Sequence, residues 1–368
     1  MHDRPVPDQR RPAPTAGAGT RAVGALPRNA TWLTRGQLDR AAAARRRIAA
    51  LPAGLPLVQP LVRAQLAAMF GVPDLVGRGD PAAPVALFGP GSPSRTILGE
   101  PASIAGGIRS LFVQAAHPLA MAGVSDHSRF RTAPLERLEG TSAWVTITAF
   151  GTVEAVAAEV RRIRAMHRRV VGVHEGEPYA ASDPRLLVWV SVALTSSFLA
   201  AHQLLSPITL PRRELDRFVA EQGLAAALLD PRLDLDALPP HAWPALDVAG
   251  TPLGRDGLPT DLDGLRDVLA SFHGELGVTP AAREAMSFLW TVGVPPAVQP
   301  VYGRVLDGVA ATLPAGLREA LDLRIDADAR LGTLVRLMST MRVATGRSPS
   351  AARADALLGE DGGAPVSD

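Results

Sequence analysis

The sequence predicts an all-α protein with a single large helical domain from about residue 30 to 345. Apolar residues recur at steps of three and four in several segments, and strand-like alternation next to tight turns is sparse. Apolar residues make up 47% of the 368 residues, enough for a large core. Residues 1–29 predict a flexible Arg/Pro-rich arm because they are poor in aromatic residues, and the polar, small residues 346–368 predict a mobile tail.

The side chains present exclude several kinds of chemistry. The chain has no cysteine, which rules out disulfides, iron–sulfur clusters and cysteine nucleophiles, and no lysine, which rules out Schiff-base and P-loop chemistry. Residues 1–50 hold ten arginines and three aspartates although the whole chain has a net charge of only +2. The rest of the chain is therefore acidic overall, and we expect no nucleic-acid partner.

No segment is predicted to cross a membrane. The longest apolar run, residues 186–201, is interrupted by four polar residues and is shorter than the roughly 20 residues that a bilayer requires, so it predicts a buried helix. Arg10 and Arg11 are similar to a twin-arginine export signal, but no apolar stretch follows them. We therefore expect a cytoplasmic protein.

The first predicted helices are separated by loops rich in proline and glycine. Residues 37–50 predict a helix and residues 71–94 a loop. Residues 102–117 predict a helix that ends before Pro118, with apolar residues at steps of four, three and four. Gly106 and Gly107 in this helix are costly unless another segment packs closely against the backbone there.

The clearest helix is predicted from Val153 to Val171. Its buried stripe has steps of three and four and consists of Val153, Val156, Val160, Ile163, His167 and Val170. Residues 135–149 before it predict a helix or, in part, a short strand. After it, Asp183 and Pro184 open a further helix through Leu204, and proline loops then separate helical segments, with a long loop at residues 249–260.

The stripe points His167 into the apolar core. Such an imidazole can simply hydrogen-bond a carbonyl and pack, but a neutral imidazole with apolar walls is also what an axial haem ligand requires. Arginines on the same helix, Arg164 among them, suit carboxylates such as haem propionates. The spacing leaves both interpretations open.

Other polar residues are compatible with more than one role. Arg137 and Thr141 share a helix face, where they can hold a polar oxygen species or tie the helix to a neighbouring carboxylate. Asp126, His127 and Ser128 are adjacent and cannot align as a catalytic triad, so they predict a helix-start cap and turn. None of the eight histidines forms a His-Glu-x-x-His zinc motif.

Several motifs over residues 95–205 resemble the MpaB/rubber oxygenase family, which includes the latex-clearing proteins. A looser resemblance continues to about residue 300. In order, the motifs are Gly106-Gly107-Ile108-Arg109-Ser110-Leu111, Ala116-His117-Pro118, Gly123-Val124-Ser125-Asp126-His127-Ser128-Arg129-Phe130, Arg137-Leu138 with Thr141, Phe150-Gly151, Met166-His167, Tyr179-Ala180, Asp183-Pro184 and Leu187 with Trp189-Val190. Ordered motifs over this length are more specific than any one of them.

The resemblance implies a globin-related helical core, with extra helices, that binds haem b. It implies that His167 is the proximal iron ligand and that Arg137 and Thr141 lie on the distal side. His117 is implied to lie near the haem as an outer partner or beside a propionate. The implied activity is a haem-dependent oxygenase or oxidase that uses dioxygen on a small apolar molecule of isoprenoid or other unsaturated type.

Some positions depart from the family pattern. Ser191 stands where many relatives have a histidine, and Gly140 stands where rubber enzymes can carry a distal lysine. Met121 and Ala122 occupy the region of the acidic residue thought to assist cleavage, so polyisoprene cleavage is not carried over. A haem-binding gas or redox sensor and a haem-free helical interaction protein stay open as alternatives, as does the oligomeric state.

Overall fold

The structure is a computed structural model that describes residues 19–46, 73–77, 84–128, 134–290 and 299–357, with the backbone alone at 134–139, 349 and 357. Its described part is mostly helical, which confirms the all-α prediction. The α-helices are α1 Arg35–Arg46, α2 Pro93–Gly99, α3 Ala102–Gln114, α4 Pro118–His127, α5 Pro134–Phe150, α6 Val153–His167, α7 Pro184–Leu205, α8 Arg212–Ala227, α9 Pro252–Arg255, α10 Leu262–Ser271, α11 Pro280–Phe288, α12 Gln299–Ala311, α13 Ala315–Ala320, α14 Ala327–Thr345 and α15 Pro349–Leu357.

Four short strands form two small antiparallel sheets. The strands are β1 Arg21–Ala22, β2 Val171–His174, β3 Glu177–Ala180 and β4 Gly277–Val278; β1 pairs with β4, and β2 pairs with β3. The β2–β3 hairpin was not predicted. Its turn residues, Glu175 and Gly176, have φ angles of 52° and 85°, as the tight turn of a two-residue hairpin requires.

Helix α7 lies at the centre of the protein and packs against α3. It begins as predicted, because the side chain of Asp183 accepts hydrogen bonds from the backbone N–H groups of Arg185 and Leu186, and Pro184 occupies the first helical position. By length and composition this 22-residue helix could span a membrane, yet 78% of its most apolar stretch is buried within the protein. That burial is typical of the central helix of a folded core.

The α3–α7 contact explains the glycine inside α3. A Cβ atom at Gly106 would lie 2.7 Å from Cδ1 and 3.1 Å from Cα of Phe198 in α7. Close packing against this backbone is what the sequence required, and it is confirmed. At the neighbouring Gly107, a Cβ would meet no atom within 4 Å. One glycine therefore permits the helix crossing and the other does not contribute to it.

Helix α6 carries the predicted buried stripe. Thr152 caps its start by accepting a hydrogen bond from the N–H of Ala155, and Val153 to Ile163 along the stripe are buried. The helix ends at His167 rather than at Val171, because Val171 already belongs to β2. The predicted helix at 135–149 is confirmed as α5, without a strand.

The structure corrects the predicted boundaries at both ends of the domain. Residues 21–22, within the predicted arm, pair with 277–278 and belong to the folded body. Within the predicted tail, α15 packs on the body: Ala351 and Ala354 are fully buried, and the N–H of Ser348 donates to the carbonyl of Gly99. Residues 1–18 and 358–368 lie outside the described residues, so the predictions for them stay predictions.

Candidate active site

A cavity of about 520 Å³ lies between helices α3 to α8 and α11. Its volume is in the range of sites for small molecules and cofactors, and most of its walls are apolar. The residues that line it are Leu111, Gln114, Ala115, Leu119, Ala120, Met121, Gly123, Val124, His127, Ser128, Gly140, Thr141, Trp144, Arg162, Ile163, Met166, His167, Val170, Tyr179, Ala181, Leu186, Leu187, Val190, Ser191, Leu194, Thr195, Gln222, Ala225, Ala226, Leu229, Ala285, Met286, Phe288 and Leu289.

His167 lines this cavity from the last position of α6. It is half-buried, beside Ile163, Met166 and Val170, which line the same wall. The stripe that buries α6 therefore continues into the cavity wall. The sequence left open whether His167 packs in a filled core or faces a ligand site, and the structure places it against a space large enough for a ligand.

Thr141 lines the cavity too, with Gly140 and Trp144 of α5. The structure thus brings Thr141 and His167, which are 26 positions apart in the sequence, to one cavity. The backbone of Arg137 lies one helical turn before Thr141 in α5, but its side chain is outside the described residues. Its predicted distal role therefore stays a prediction.

His117 lies behind the cavity wall rather than in it. Its side chain is only 2% exposed, and its Nε2 is 3.4 Å from Oε2 of Glu275. The ring packs at 5.6 Å from Trp189 and 6.0 Å from Phe272, between centroids. Burial raises the pKa of Glu275, but hydrogen bonds from His117 and Arg185 outweigh burial and lower that pKa overall.

Arg164 is not among the residues that line the cavity. Its guanidinium donates hydrogen bonds to the backbone carbonyls of Leu228, Asp230 and Leu233, at 2.9, 2.5 and 3.0 Å. Burial lowers the pKa of Arg164, although the nearby carboxylate of Asp230 acts in the opposite direction. In this structure Arg164 joins α6 to the segment after α8.

Tyr179 and His127 also line the cavity, and sequence reasoning missed both as site residues. The Tyr179 hydroxyl donates a 2.6 Å hydrogen bond to Oδ2 of Asp126, and burial, with this bond, raises the pKa of Tyr179 to about 12. Gly172 makes room for the ring, because a Cβ there would lie 2.5 Å from the Tyr179 hydroxyl oxygen. Nε2 of His127 lies 3.1 Å from the carbonyl oxygen of Val171.

The interpretation of residues 126–128 as a helix start was wrong. Asp126 and His127 are the last residues of α4, and the backbone N–H of Ser128 caps that end by donating to the carbonyl of Val124. The Ala-His-Pro motif could have revealed this, because Pro118 at a first helical position begins a helix that reaches His127 after ten residues. His127 is thereby carried to the cavity.

Exposed lining residues mark where the cavity opens. These are His127, Gly140, Arg162 and Met166, of which Met166 is 43% exposed. Arg162 forms an ion pair with Glu159 one turn earlier on α6, and that hydrogen-bonded pairing raises the pKa of Arg162. The opening therefore lies beside the end of α6.

The donor set in the cavity suits a haem better than a bare metal ion. No group of three or more His, Asp or Glu side chains that could hold a metal ion occurs within the described ranges. A haem needs no such group, because its macrocycle already supplies nitrogen donors and a single imidazole can complete the axial position. His167 provides an imidazole, and the apolar walls provide the surroundings of a macrocycle.

One comparison with known proteins found a family for this chain. A family model described as ER-bound oxygenase mpaB/B'/Rubber oxygenase, catalytic domain, matches residues 94–344. The matched range contains every residue that lines the cavity. No match was found among curated proteins or among solved structures.

Proposed function

Because the chain belongs to the mpaB/rubber oxygenase catalytic-domain family, and is thus an enzyme of an oxygenase family, we propose that it is a haem b-dependent oxygenase of an apolar small molecule. His167 is the proposed iron ligand. The observation that carries the proposal is that this one imidazole lies in the wall of an apolar cavity of about 520 Å³. The runner-up, a haem-binding gas or redox sensor, would use the same ligand without turnover.

The side chains around the cavity suit this chemistry. Haem iron supplies the dioxygen and one-electron chemistry that the protein's own side chains lack. His167 would hold the group by one ring nitrogen. The Thr141 hydroxyl can donate a hydrogen bond to a polar oxygen in the cavity, and the Arg137 guanidinium is proposed to do the same. We keep His117 as an outer partner behind the wall and Arg164 as a partner of a propionate, because its three carbonyl bonds leave two of the five guanidinium N–H groups free to donate.

The apolar walls determine which substrate fits. The walls are mostly apolar and include leucine, valine and methionine side chains from α3, α4, α7 and α11, so an unsaturated or isoprenoid hydrocarbon would be bound by exclusion of water rather than by hydrogen bonds. Tyr179, fixed by its bond to Asp126, would keep one wall in place while the substrate is held. The proposed partners are therefore an apolar substrate and dioxygen, and we propose a cytoplasmic location.

The iron ligand is tested by comparing two histidine variants. Both proteins are produced with haem supplied, and retained haem is measured after gel filtration by pyridine haemochromogen absorbance. We expect His167→Ala to retain at least about tenfold less haem than wild type, because the substitution removes the axial nitrogen. His241→Ala, which changes an exposed histidine in a 3-10 helix away from the cavity, should match wild type. Equal retention in both variants contradicts the assignment of His167.

Turnover separates the oxygenase from the sensor. Oxygen uptake is measured with a panel of isoprenoids and unsaturated lipids, and the products are identified by mass spectrometry. We expect uptake with at least one substrate, and a loss of about 10²-fold in rate for Thr141→Val if its hydroxyl stabilises charge that develops on oxygen. Reversible oxygen binding with no product from any substrate would favour the sensor.

A further inference from the structure

One face of the β2–β3 hairpin is apolar and exposed. In the register of the two strands, Val171 lies opposite Ala180 and Val173 lies opposite Pro178, so these four side chains share a face. Val171 is 54% exposed and Val173 66% exposed. The opposite face, with Tyr179, packs on α4. Val171 and Val173 are the two most exposed large apolar side chains in the part of the chain that the structure describes.

Unpaired positive charge lies next to this face. Arg168 and Arg169 directly precede the hairpin, and Arg161 lies two turns earlier on α6; all three are exposed and have no ion-pair partner in the described part of the chain. Residues 161–180 contain five arginines and two glutamates, a net charge of +3, whereas the whole chain is only +2. The segment is therefore a positive part of a nearly neutral protein, in addition to residues 1–50.

The acidic groups nearby cancel only part of this charge. Glu159, just outside the segment, neutralises Arg162, and Asp126 accepts the hydrogen bond of Tyr179. Glu175 in the hairpin turn and Glu177 in β3 are the two carboxylates within the segment, and they are included in its net charge of +3. An anionic surface is thus attracted to the side of the molecule that also presents the valines.

The same region is where the cavity opens. Met166 is 43% exposed and lines the cavity. Arg162 is also exposed and also lines the cavity. Val170, directly before β2, and Ala181, directly after β3, also line the cavity. The exposed apolar face, the unpaired arginines and the cavity opening are therefore parts of one continuous segment of chain.

We propose that the β2–β3 hairpin and the end of α6 dock onto the surface of an anionic lipid bilayer. Val171 and Val173 would enter the boundary between headgroups and acyl chains, and Arg168 and Arg169 would contact lipid phosphates. An apolar molecule dissolved in the bilayer would then reach the cavity without crossing water. The docking itself requires no haem and is independent of the proposed function.

A single fluorescent label tests the insertion. Because the chain has no cysteine, Val173→Cys creates one site for an environment-sensitive dye, and Val301→Cys on α12, where the native valine is 43% exposed, gives the matched control. With vesicles of phosphatidylcholine and phosphatidylglycerol, we expect a blue shift and increased emission from the dye at 173 and no change at 301. No response at 173, or an equal response at both positions, overturns the proposal.

Co-sedimentation of the unlabelled protein tests the charges. We expect Arg168→Glu/Arg169→Glu to bind the same vesicles at least about 25-fold more weakly, since each arginine near an anionic surface contributes roughly fivefold. Arg324→Glu, which changes a residue with 90% side-chain exposure elsewhere, should bind as wild type does. High salt should weaken wild-type binding. Binding that is insensitive to both the arginine variant and salt contradicts the proposal.

Two further measurements distinguish the other partners and the other proposal. Light scattering without lipid should show the same mass for wild type and Val173→Asp; an oligomer that Val173→Asp dissociates would mean that a second copy covers the face, and would overturn lipid docking. His167→Ala should bind vesicles like wild type. A failure of haem binding and a failure of docking therefore give different results.

Discussion

The two faces of α7 differ in how tightly they are packed. Leu187, Val190, Ser191, Leu194 and Thr195 follow the helical period and line the cavity. On the rest of the helix, Trp189 and Leu199 are completely buried in the core. One face of α7 thus borders a cavity, and the other face is tightly packed. The same substitution should therefore lower the free energy of unfolding by different amounts on the two faces.

The largest difference should come from truncating one leucine on each face. Leu199→Ala is expected to lower the free energy of unfolding by about 3–5 kcal/mol, because the side chain is fully buried and its removal opens a new void. Leu194→Ala should cost about 1 kcal/mol, because it only enlarges an existing cavity. Urea titration followed by circular dichroism measures both. Equal losses would mean that the two faces are packed alike.

The two adjacent glycines of α3 should respond with opposite signs. Gly106→Ala is expected to lower the free energy of unfolding by about 2 kcal/mol, since the new Cβ meets the ring and the backbone of Phe198. Gly107→Ala should raise it by about 1 kcal/mol, because alanine is the better helix former and the site is open. The same urea titration applies. A stabilised Gly106→Ala would show that α3 and α7 are not in close contact.

The smallest expected change in the free energy of unfolding concerns His202, which lies near the end of α7. Its side chain is 3% exposed and neither ring nitrogen has a hydrogen-bond partner in the described structure. Burial, with the nearby charge of Arg45, lowers the pKa of His202 from 6.5 to about 4. Between these two values the unfolded chain binds more protons, so the free energy of unfolding falls as the pH falls from about 6.5 to about 4.

Replacing His202 should remove that pH dependence. We expect His202→Leu to raise the free energy of unfolding by about 1 kcal/mol at pH 6, because the unfolded variant can no longer gain a proton at this position. At pH 7.5 the difference should be smaller. Thermal unfolding of both proteins across pH 4–7 measures the slopes. Parallel slopes for wild type and the variant would assign the acid sensitivity to another group.

Sequence periodicity predicted the helices that have one apolar face. The stripe from Val153 to Ile163 is buried as predicted, and Asp183 with Pro184 begins α7 as predicted. The β2–β3 hairpin was missed because its pattern is hidden: Val171 and Val173 point outward, Gly172 points inward, and the turn is formed by Glu175 and Gly176. In the usual half-buried strand, the apolar residues face the core. Here the valines face solvent and a glycine faces the core, so the usual strand pattern is absent.

The candidate site was predictable in part for the same reason. Periodicity and the family motifs both identified His167, and the structure brings Thr141 to the same cavity. Local spacing could not show that Arg164 turns toward the carbonyls after α8, because its partners lie more than 60 residues away in the chain. His127 was missed because its approach to the cavity depends on the length of α4 and on the unpredicted hairpin.

Haem binding is tested most directly by the absorption spectrum of the purified wild-type chain, produced with haem available and measured together with its iron content. We predict a Soret band and about one iron atom per folded chain, since His167 is the one proposed iron ligand and serves one haem. A colourless protein without iron, folded by circular dichroism and unchanged when haem is added, would contradict a haem-dependent oxygenase.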